Sequence, residues 1–299
     1  MNTLSIKAPA KVNLQLTITG RRDDGYHLMD SLAVFADLAD DLSLHPAPES
    51  SLEISGPFAD AIPETRLDDN ILGKTIRAFH PATGLDGLYA IRLEKNIPIA
   101  AGIGGGSADA AGMLHLLNGL HHDPLDDQDL EAVGLTIGAD VPVCLKADGK
   151  GGDCWRMQGI GERLSRHELD ITPGLVLLND GIGVSTASVF SRLAESRMTT
   201  DGNTLPELPS TLPVMELIDR LRYGNDLLTP ALEECPPLRE TLAAAEALAS
   251  VDGFIHASMS GSGATCFGLF EAPHQAVEAL SAMTIGHHWS WAGGLYPNS

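Results

Sequence analysis

Pro98-Ile-Ala-Ala-Gly102-Ile-Gly104-Gly105-Gly106-Ser107-Ala108-Asp109-Ala110-Ala111 is the stretch on which the reading of this chain turns. Three consecutive glycines, Gly104 to Gly106, stand before a run in which Ala110, Ala111, Leu114 and Leu117 recur at helical spacing. The pattern predicts a loop that opens into a helix from Ser107 onward, with Gly119 as its stop. Glycines leave backbone N–H groups open to a ligand, and a helix N-terminus adds about half a positive charge, so the junction suits phosphate. No lysine follows the glycines as a P-loop requires, and contiguous glycines do not match the G-x-G-x-x-G dinucleotide fingerprint. Glycine content alone also fits a flexible loop with Ser107 as an N-cap, but the order glycine, serine, helix favours phosphate.

Working outward, Tyr89, Ile91 and Leu93 alternate with Ala90, Arg92 and Glu94, which predicts a strand leading into the loop. At the N-terminus Val12, Leu14, Leu16 and Ile18 alternate with polar residues, predicting a half-buried strand whose polar face aligns Lys11, Asn13 and Gln15. Asp23-Asp24-Gly25 is turn chemistry. In the second half, Leu175–Leu178, Phe254–Ala257 and Thr265–Phe270 read as strands, the last two flanking Ser260-Gly261-Ser262-Gly263. Val214–Arg222, Leu238–Ala249 and Pro273–Met283 read as helices. The glycine-rich segment Lys146–Gly161 is a candidate hinge, and Arg197–Pro213 a surface loop. Strands and helices mixed in both halves predict an α+β, two-lobed protein, with domains at 1–157 and 158–299.

Composition narrows the partners. Nineteen Lys+Arg against 40 Asp+Glu leave a net charge of −21, which argues against nucleic acid or an anionic membrane surface as a partner. A small anionic substrate stays open, because a local cluster of donors can override the global field. No apolar run approaches the roughly 18 residues of a membrane helix, and Met1–Gly20 carries no secretory pattern. Cys144, Cys154, Cys235 and Cys266 stand far apart without a C-x-x-C pair, so a zinc site or disulfide framework is not expected and a cytoplasmic location is. The pairs His121-His122 and His287-His288 read as surface or chain-end features.

The glycine motif, read as P-x-x-x-G-[IL]-G-G-G-S-x-x-A-A, resembles the phosphate-binding motif of the GHMP small-molecule kinases. Ala8-Pro9-Ala10-Lys11-Val12-Asn13-Leu14 resembles that family's N-terminal strand motif, and Met259-Ser260-Gly261-Ser262-Gly263-Ala264-Thr265 its C-terminal glycine motif. The three occur in the family's order and span almost the whole chain. Gly25-Tyr26-His27, Gly138-Ala139-Asp140-Val141-Pro142, Gly183-Val184-Ser185-Thr186 with Phe190, and Asn225-Asp226-Leu227 resemble a narrower group. Its members phosphorylate a cytidine diphosphate-linked branched polyol on the non-mevalonate route to isoprenoid precursors. The resemblance implies a ribosomal-S5-like N-terminal lobe and a ferredoxin-like C-terminal lobe. Another alcohol kinase of the family, or a non-catalytic nucleotide-binding module, remains an alternative.

The same resemblance implies the site. Phosphoryl transfer rests on positioning, charge stabilisation and a carboxylate that takes the alcohol proton. Asp140 matches the family's base, although on its own it fits equally an N-cap before Val141-Pro142. Lys11 is expected to keep Asp140 ionised and to stabilise charge on the transferring group, and Asn13 to orient substrate hydroxyls. Tyr26 and His27 would read a cytosine, with Phe190 on the cytidine side and Thr186 near the polyol. Gly102, Gly104, Gly105, Gly106 and Ser107 would hold the phosphates of ATP, and Asn70 and Lys95 are candidates beside adenine. Gly261 to Gly263 would support the phosphate loop rather than contact ATP strongly. Mg2+ is expected with ATP, its protein ligands unidentified. Asp109 has no assigned role, and the sequence is silent on oligomeric state.

Overall fold

A computed structural model describes residues 3–147, 154–193, 205–283 and 289–296. In chain order the first half holds β1 (Leu4–Arg21), β2 (His27–Pro46), β3 (Ser51–Ser55), α1 (Ile71–Thr83), β4 (Tyr89–Glu94), α2 (Gly105–Leu120), α3 (Asp127–Ile137) and α4 (Val141–Cys144). The second holds β5 (Cys154–Gly159), β6 (Arg163–Leu169), β7 (Gly174–Asn179), α5 (Thr186–Ser191), β8 (Thr211–Leu212), α6 (Val214–Leu221), α7 (Leu228–Glu234) and α8 (Leu238–Ala247). It ends with β9 (Phe254–Met259), β10 (Cys266–Phe270), α9 (Pro273–Ala282) and β11 (Trp289–Gly294). The fold is α+β, as the sequence predicts.

Two compact units interleave along the chain: 1–10, 38–99 and 104–148 form one, and 11–37, 100–103 and 149–299 the other. In the first, β2 pairs antiparallel with β4 through Asp41–Glu94 to Pro46–Tyr89, and β3 lies parallel to β4. Tyr89, Ile91 and Leu93 are buried while Arg92 and Glu94 are exposed, the alternation of a sheet with one solvated face. Helix α2 rests on this sheet at Gly112, where a Cβ would stand 3.2 Å from the Ile6 side chain, and α1 packs on α2 and α3. Asn70 caps α1 through the Leu72 N–H, and Gly84 ends it in the left-handed region at φ 69°.

In the second unit the sheet order β11-β7-β10-β9 is antiparallel throughout. Strand β7 is buried along its whole length, because α8 and α9 pack on it while β10 and β11 flank it. The N-terminal part of β2 pairs with β5, β5 with β6, and the short β8 runs parallel to β6.

Several expectations need correcting. The predicted hinge falls partly on residues 148–153, outside the described residues, while Cys154–Gly159 is strand β5. Of the predicted surface loop, 197–204 lie outside the described residues, Leu205 is buried, and Thr211–Leu212 form β8. His287 and His288 also lie outside the described residues. Helix α2 begins at Gly105 rather than Ser107, so two of the three glycines are helical. Strand β1 is not half-buried: Lys11, Asn13 and Gln15 are as enclosed as Val12 and Leu14. For Asn13 and Gln15 burial is tolerable because their amides find hydrogen-bond partners inside the protein.

Candidate active site

In the first unit, Gly104 adopts φ 68°, a left-handed conformation open to glycine at little cost, and it turns the chain into α2 as its N-cap. The N–H groups of Gly105, Gly106 and Ser107 then have no acceptor within the helix. Ala108 N–H closes the first helical hydrogen bond, to the Gly104 carbonyl at 2.9 Å. Gly106 is exposed, and nothing lies within 4 Å of the position its Cβ would take. Three outward N–H groups at a positive helix end form a cradle for an anionic oxygen.

Lys95 lies beneath that cradle. Its Nζ is 3.2 Å from where a Gly105 Cβ would stand, and it donates to Asp40 Oδ2 at 2.5 Å and to Asp109 Oδ2 at 2.6 Å. The other oxygen of Asp40 accepts from the N–H groups of Asn96 and Ile97 at 2.6 and 2.9 Å. Burial alone would lower the Lys95 pKa; Asp109 and Asp40 outweigh it and raise the value. Asp109 is pushed up to about 7, first by burial and then by Asp40, against the pull of Lys95. Its Oδ1 is buried and has no hydrogen-bond partner among the described residues. The two adenine candidates therefore have their polar ends engaged within the unit. Lys95 is held in this triad, and Asn70 accepts from Leu72 and donates to the Glu64 carbonyl at 2.8 Å.

Asp140 precedes α4 with helical backbone angles, and its side chain makes no capping hydrogen bond. The alternative role of side-chain cap is thus not used. The carboxylate is half-exposed at the end of the turn Gly138–Asp140, compatible with proton transfer.

In the second unit, the three motifs meet through backbone and one hydroxyl. The Lys11 N–H donates to the Ile103 carbonyl at 2.9 Å, and the Thr265 N–H to the Ala101 carbonyl at 2.9 Å. Ser260 Oγ accepts from the Asn13 N–H at 3.1 Å and donates to the Gly102 carbonyl at 3.0 Å. Gly102 has φ 76°, and a Cβ there would stand 2.2 Å from the Gly263 carbonyl oxygen, so the two glycine-rich turns require its absence. Asn225 Nδ2 donates to the carbonyls of Met259 and Gly261, both at 2.8 Å, which fixes the C-terminal glycine turn.

Beneath Asn13 runs a buried polar network. Asp30 accepts from Arg156 Nη2 at 2.7 Å, from Arg220 Nη2 and from Gln158 Nε2 at 3.1 Å. Burial and the neighbouring Arg156 lower the Arg220 pKa against the opposing pull of Asp30, while Arg156, with Asp30 and Glu207, is raised in spite of burial. Sequence reasoning missed Ser31, Asp30, Arg156, Arg220 and Asp40. Their partners lie far away in the sequence, and no local spacing marks them.

The nucleobase candidates divide. Tyr26 is 59% exposed, which excludes a core role. The His27 ring lies 5.0 Å from that of Phe190, tilted by 31°, so these two are brought together. Burial, and secondarily Arg21, lowers the His27 pKa and favours a neutral ring, whose Nε2 has no hydrogen-bond partner among the described residues. Thr186 opens α5, Phe190 follows one turn later on the same helix face, and Thr186 Oγ1 shares a 2.8 Å hydrogen bond with Ser262 Oγ.

Comparison with known proteins agrees with these motifs. Residues 70–147 match the GHMP kinases N terminal domain, and residues 213–286 the GHMP kinases C terminal domain. The chain is 43% identical over 291 residues to 4-diphosphocytidyl-2-C-methyl-D-erythritol kinase of Paramagnetospirillum magneticum, covering 97% of each chain. To the protein of the same name from Granulibacter bethesdensis it is 40% identical over 97% of this chain and 93% of the relative. A crystal structure of 4-(cytidine 5'-diphospho)-2C-methyl-D-erythritol kinase superposes with TM-score 0.73 at 34% identity, covering 98% of this chain and 99% of that one. Homoserine kinase from Cytophaga hutchinsonii, at 15% identity, TM-score 0.67 and coverage of 100% of this chain and 96% of that one, shares the fold.

Proposed function

The chain belongs to the GHMP kinases and, among them, to the 4-diphosphocytidyl-2-C-methyl-D-erythritol kinases, and on that premise we propose how its residues divide the reaction. It is an ATP-dependent kinase whose acceptor is the 2-hydroxyl of 4-diphosphocytidyl-2-C-methyl-D-erythritol, a step toward isoprenoid precursors. The observation that carries this reading is the cradle at Gly104–Ser107, whose unpaired backbone donors at a helix N-terminus have the chemistry that suits phosphate.

Asp140 takes the proton of the attacking hydroxyl, and Lys11 stabilises negative charge on the transferring phosphoryl group. Asn13 hydrogen-bonds the polyol. Tyr26, His27 and Phe190 hold the cytosine, with Thr186 on the polyol side. The cradle residues, with Gly102 behind them, bind the nucleotide phosphates. Asn70 and Lys95 act on ATP indirectly, since their polar ends fix the start of α1 and the base of the cradle. Among the described residues no group of three or more His, Cys, Asp or Glu is placed to hold a metal. The Ser107 hydroxyl, at the first turn of α2, is the protein oxygen that would meet a magnesium ion bound to the nucleotide phosphates. When bound, the ion neutralises phosphate charge.

The division into lobes 1–157 and 158–299 is kept as a functional proposal, since the two family domains fall one on either side of it. A cytoplasmic location is also proposed: the substrate pair includes ATP, all four cysteines are buried thiols, and no described helix is long and apolar enough to cross a membrane.

The test is an ADP-release assay with the diphosphocytidyl substrate beside alcohols that lack cytosine. Selective turnover of the former is expected, and equal turnover of both removes the substrate assignment. In the same assay Asp140→Asn should lose at least about a hundredfold in kcat while still binding nucleotide. Near-normal turnover of that variant removes Asp140 as base.

A further inference from the structure

Asn13 carries a primary amide, and whether it offers substrate a donor or an acceptor depends on which end is committed within the protein. The hydrogen bonds around it settle the choice. The backbone carbonyl of Gln15 can only accept, and Ser31 Oγ lies 2.6 Å from it, so the single hydroxyl proton of Ser31 is committed there. The oxygen of Ser31 can then only accept. Asn13 lies 2.8 Å from it, so the amide end turned to Ser31 must be the donor Nδ2. Oδ1 is thereby directed to the opposite side, beside Gly261 of the C-terminal glycine turn, where a Cβ would come to 3.3 Å from it. Ser31 itself is wholly buried.

Neighbouring contacts follow the same one-way logic. Ser260 Oγ accepts from the obligatory donor Asn13 N–H, so its own proton goes to the Gly102 carbonyl. Gln15 Oε1 accepts from Arg220 Nε at 3.2 Å, and its Nε2 donates to the Asp30 carbonyl at 3.1 Å. Strand β1 is thus pinned on both sides of Asn13, and the amide cannot turn over without breaking the bond to Ser31.

We propose that Ser31 is a positioning residue that fixes the polarity of Asn13, so that Asn13 presents a carbonyl oxygen to a hydroxyl of the acceptor polyol. An acceptor at this position selects O–H groups and disfavours phosphate oxygens, which only accept. The assignment separates the two ligand types by hydrogen-bond polarity in a protein that must bind both. It rests on the reading of Asn13 as a residue that touches the acceptor alcohol.

The experiment is steady-state kinetics with each substrate varied in turn, on Ser31→Ala, Ser31→Thr, Asn13→Ala and the double variant Ser31→Ala/Asn13→Ala. Loss of the hydroxyl releases the amide, so Ser31→Ala should lower kcat/KM for the alcohol by about tenfold, the worth of one neutral hydrogen bond. The KM for ATP should stay within about twofold, and Ser31→Thr, which keeps the hydroxyl, should recover most of the loss. In the Asn13→Ala background, Ser31→Ala should add less than about twofold. Where the alanine variant fails to fold, Ser31→Cys, of similar volume with a weak S–H donor, takes its place. Equal losses toward ATP and the alcohol without rescue by threonine overturn the proposal, as does a full effect in the Asn13→Ala background. A silent Ser31→Ala beside an impaired Asn13→Ala removes Ser31 alone. An unimpaired Asn13→Ala removes the reading of Asn13 on which the proposal stands.

Discussion

Replacing Asp109 with asparagine keeps the shape of the triad under the phosphate cradle and removes its most perturbed acid. In the wild type Lys95 donates to Asp109 Oδ2 at 2.6 Å, and an amide oxygen can take the same bond. Burial first, then Asp40, raises the Asp109 pKa from 3.8 to about 7. The native protein therefore holds a proton that the unfolded chain releases between these values, and this group's contribution to stability falls as pH rises through that window. Linkage gives roughly 1.4 kcal/mol per pH unit for one full proton. Integrated from pH 5.5 to 7.5 with a native value of 7, the loss comes to about 2 kcal/mol. The asparagine variant has no such titration. Urea melts of both proteins across this range should show the variant gaining about 2 kcal/mol relative to the wild type as pH rises. If the difference between them stays constant within about 0.5 kcal/mol, Asp109 is ionised throughout and the assigned burial effect is wrong.

Two further substitutions probe the second unit. Gly102→Ala places a Cβ 2.2 Å from the Gly263 carbonyl oxygen at φ 76°, whereas Gly84, at φ 69°, has nothing within 4 Å. Gly84→Ala should cost about 1 kcal/mol from backbone strain alone, and Gly102→Ala at least about 1 kcal/mol more, measured by denaturant melts. Equal costs would show that the two glycine turns are not in contact. Asp30→Asn leaves two buried guanidinium groups without their shared carboxylate and should destabilise by about 3–5 kcal/mol, read as a fall in Tm by calorimetry. A loss below about 1 kcal/mol would show that the arginines find other compensation.

What could be read in advance followed from local periodicity. Tyr89–Glu94 is strand β4 to the residue, because alternation is a property of neighbours in sequence. The predicted helices at Val214, Leu238 and Pro273 all begin where expected, for the same reason. The glycine motif announced a turn and a helix, yet not that Gly105 and Gly106 would be helical. Glycine's poor propensity argues against that locally, and the left-handed turn at Gly104 starts the helix there all the same. Lys95 was legible as a motif position, but its role was not. Asp40 is 55 residues away in sequence, and only the fold brings it to Lys95. Ser31 was hidden for a related reason: a serine has no pattern, and its meaning lies in what its one proton is obliged to do.

The net charge of −21 and two phosphate-bearing substrates look incompatible only while charge is counted over the whole chain. Lys95, Arg156 and Arg220 are buried, and each is ion-paired: Lys95 to Asp40 and Asp109, Arg156 to Asp30 and Glu207, and Arg220 to Asp30. These cations supply no surplus positive potential, so attraction of phosphate cannot be assigned to them. The remaining donors in the cradle are backbone N–H groups and the end of α2, which act over hydrogen-bond distance. Exposed surface carboxylates lose their influence beyond a Debye length of about 8 Å at physiological ionic strength. On the proposed assignment, a cradle of neutral donors would bind phosphate largely independently of the surface charge. Lys95 and the two arginines, unlike Lys11, instead fix the backbone from which those donors and Asn13 project.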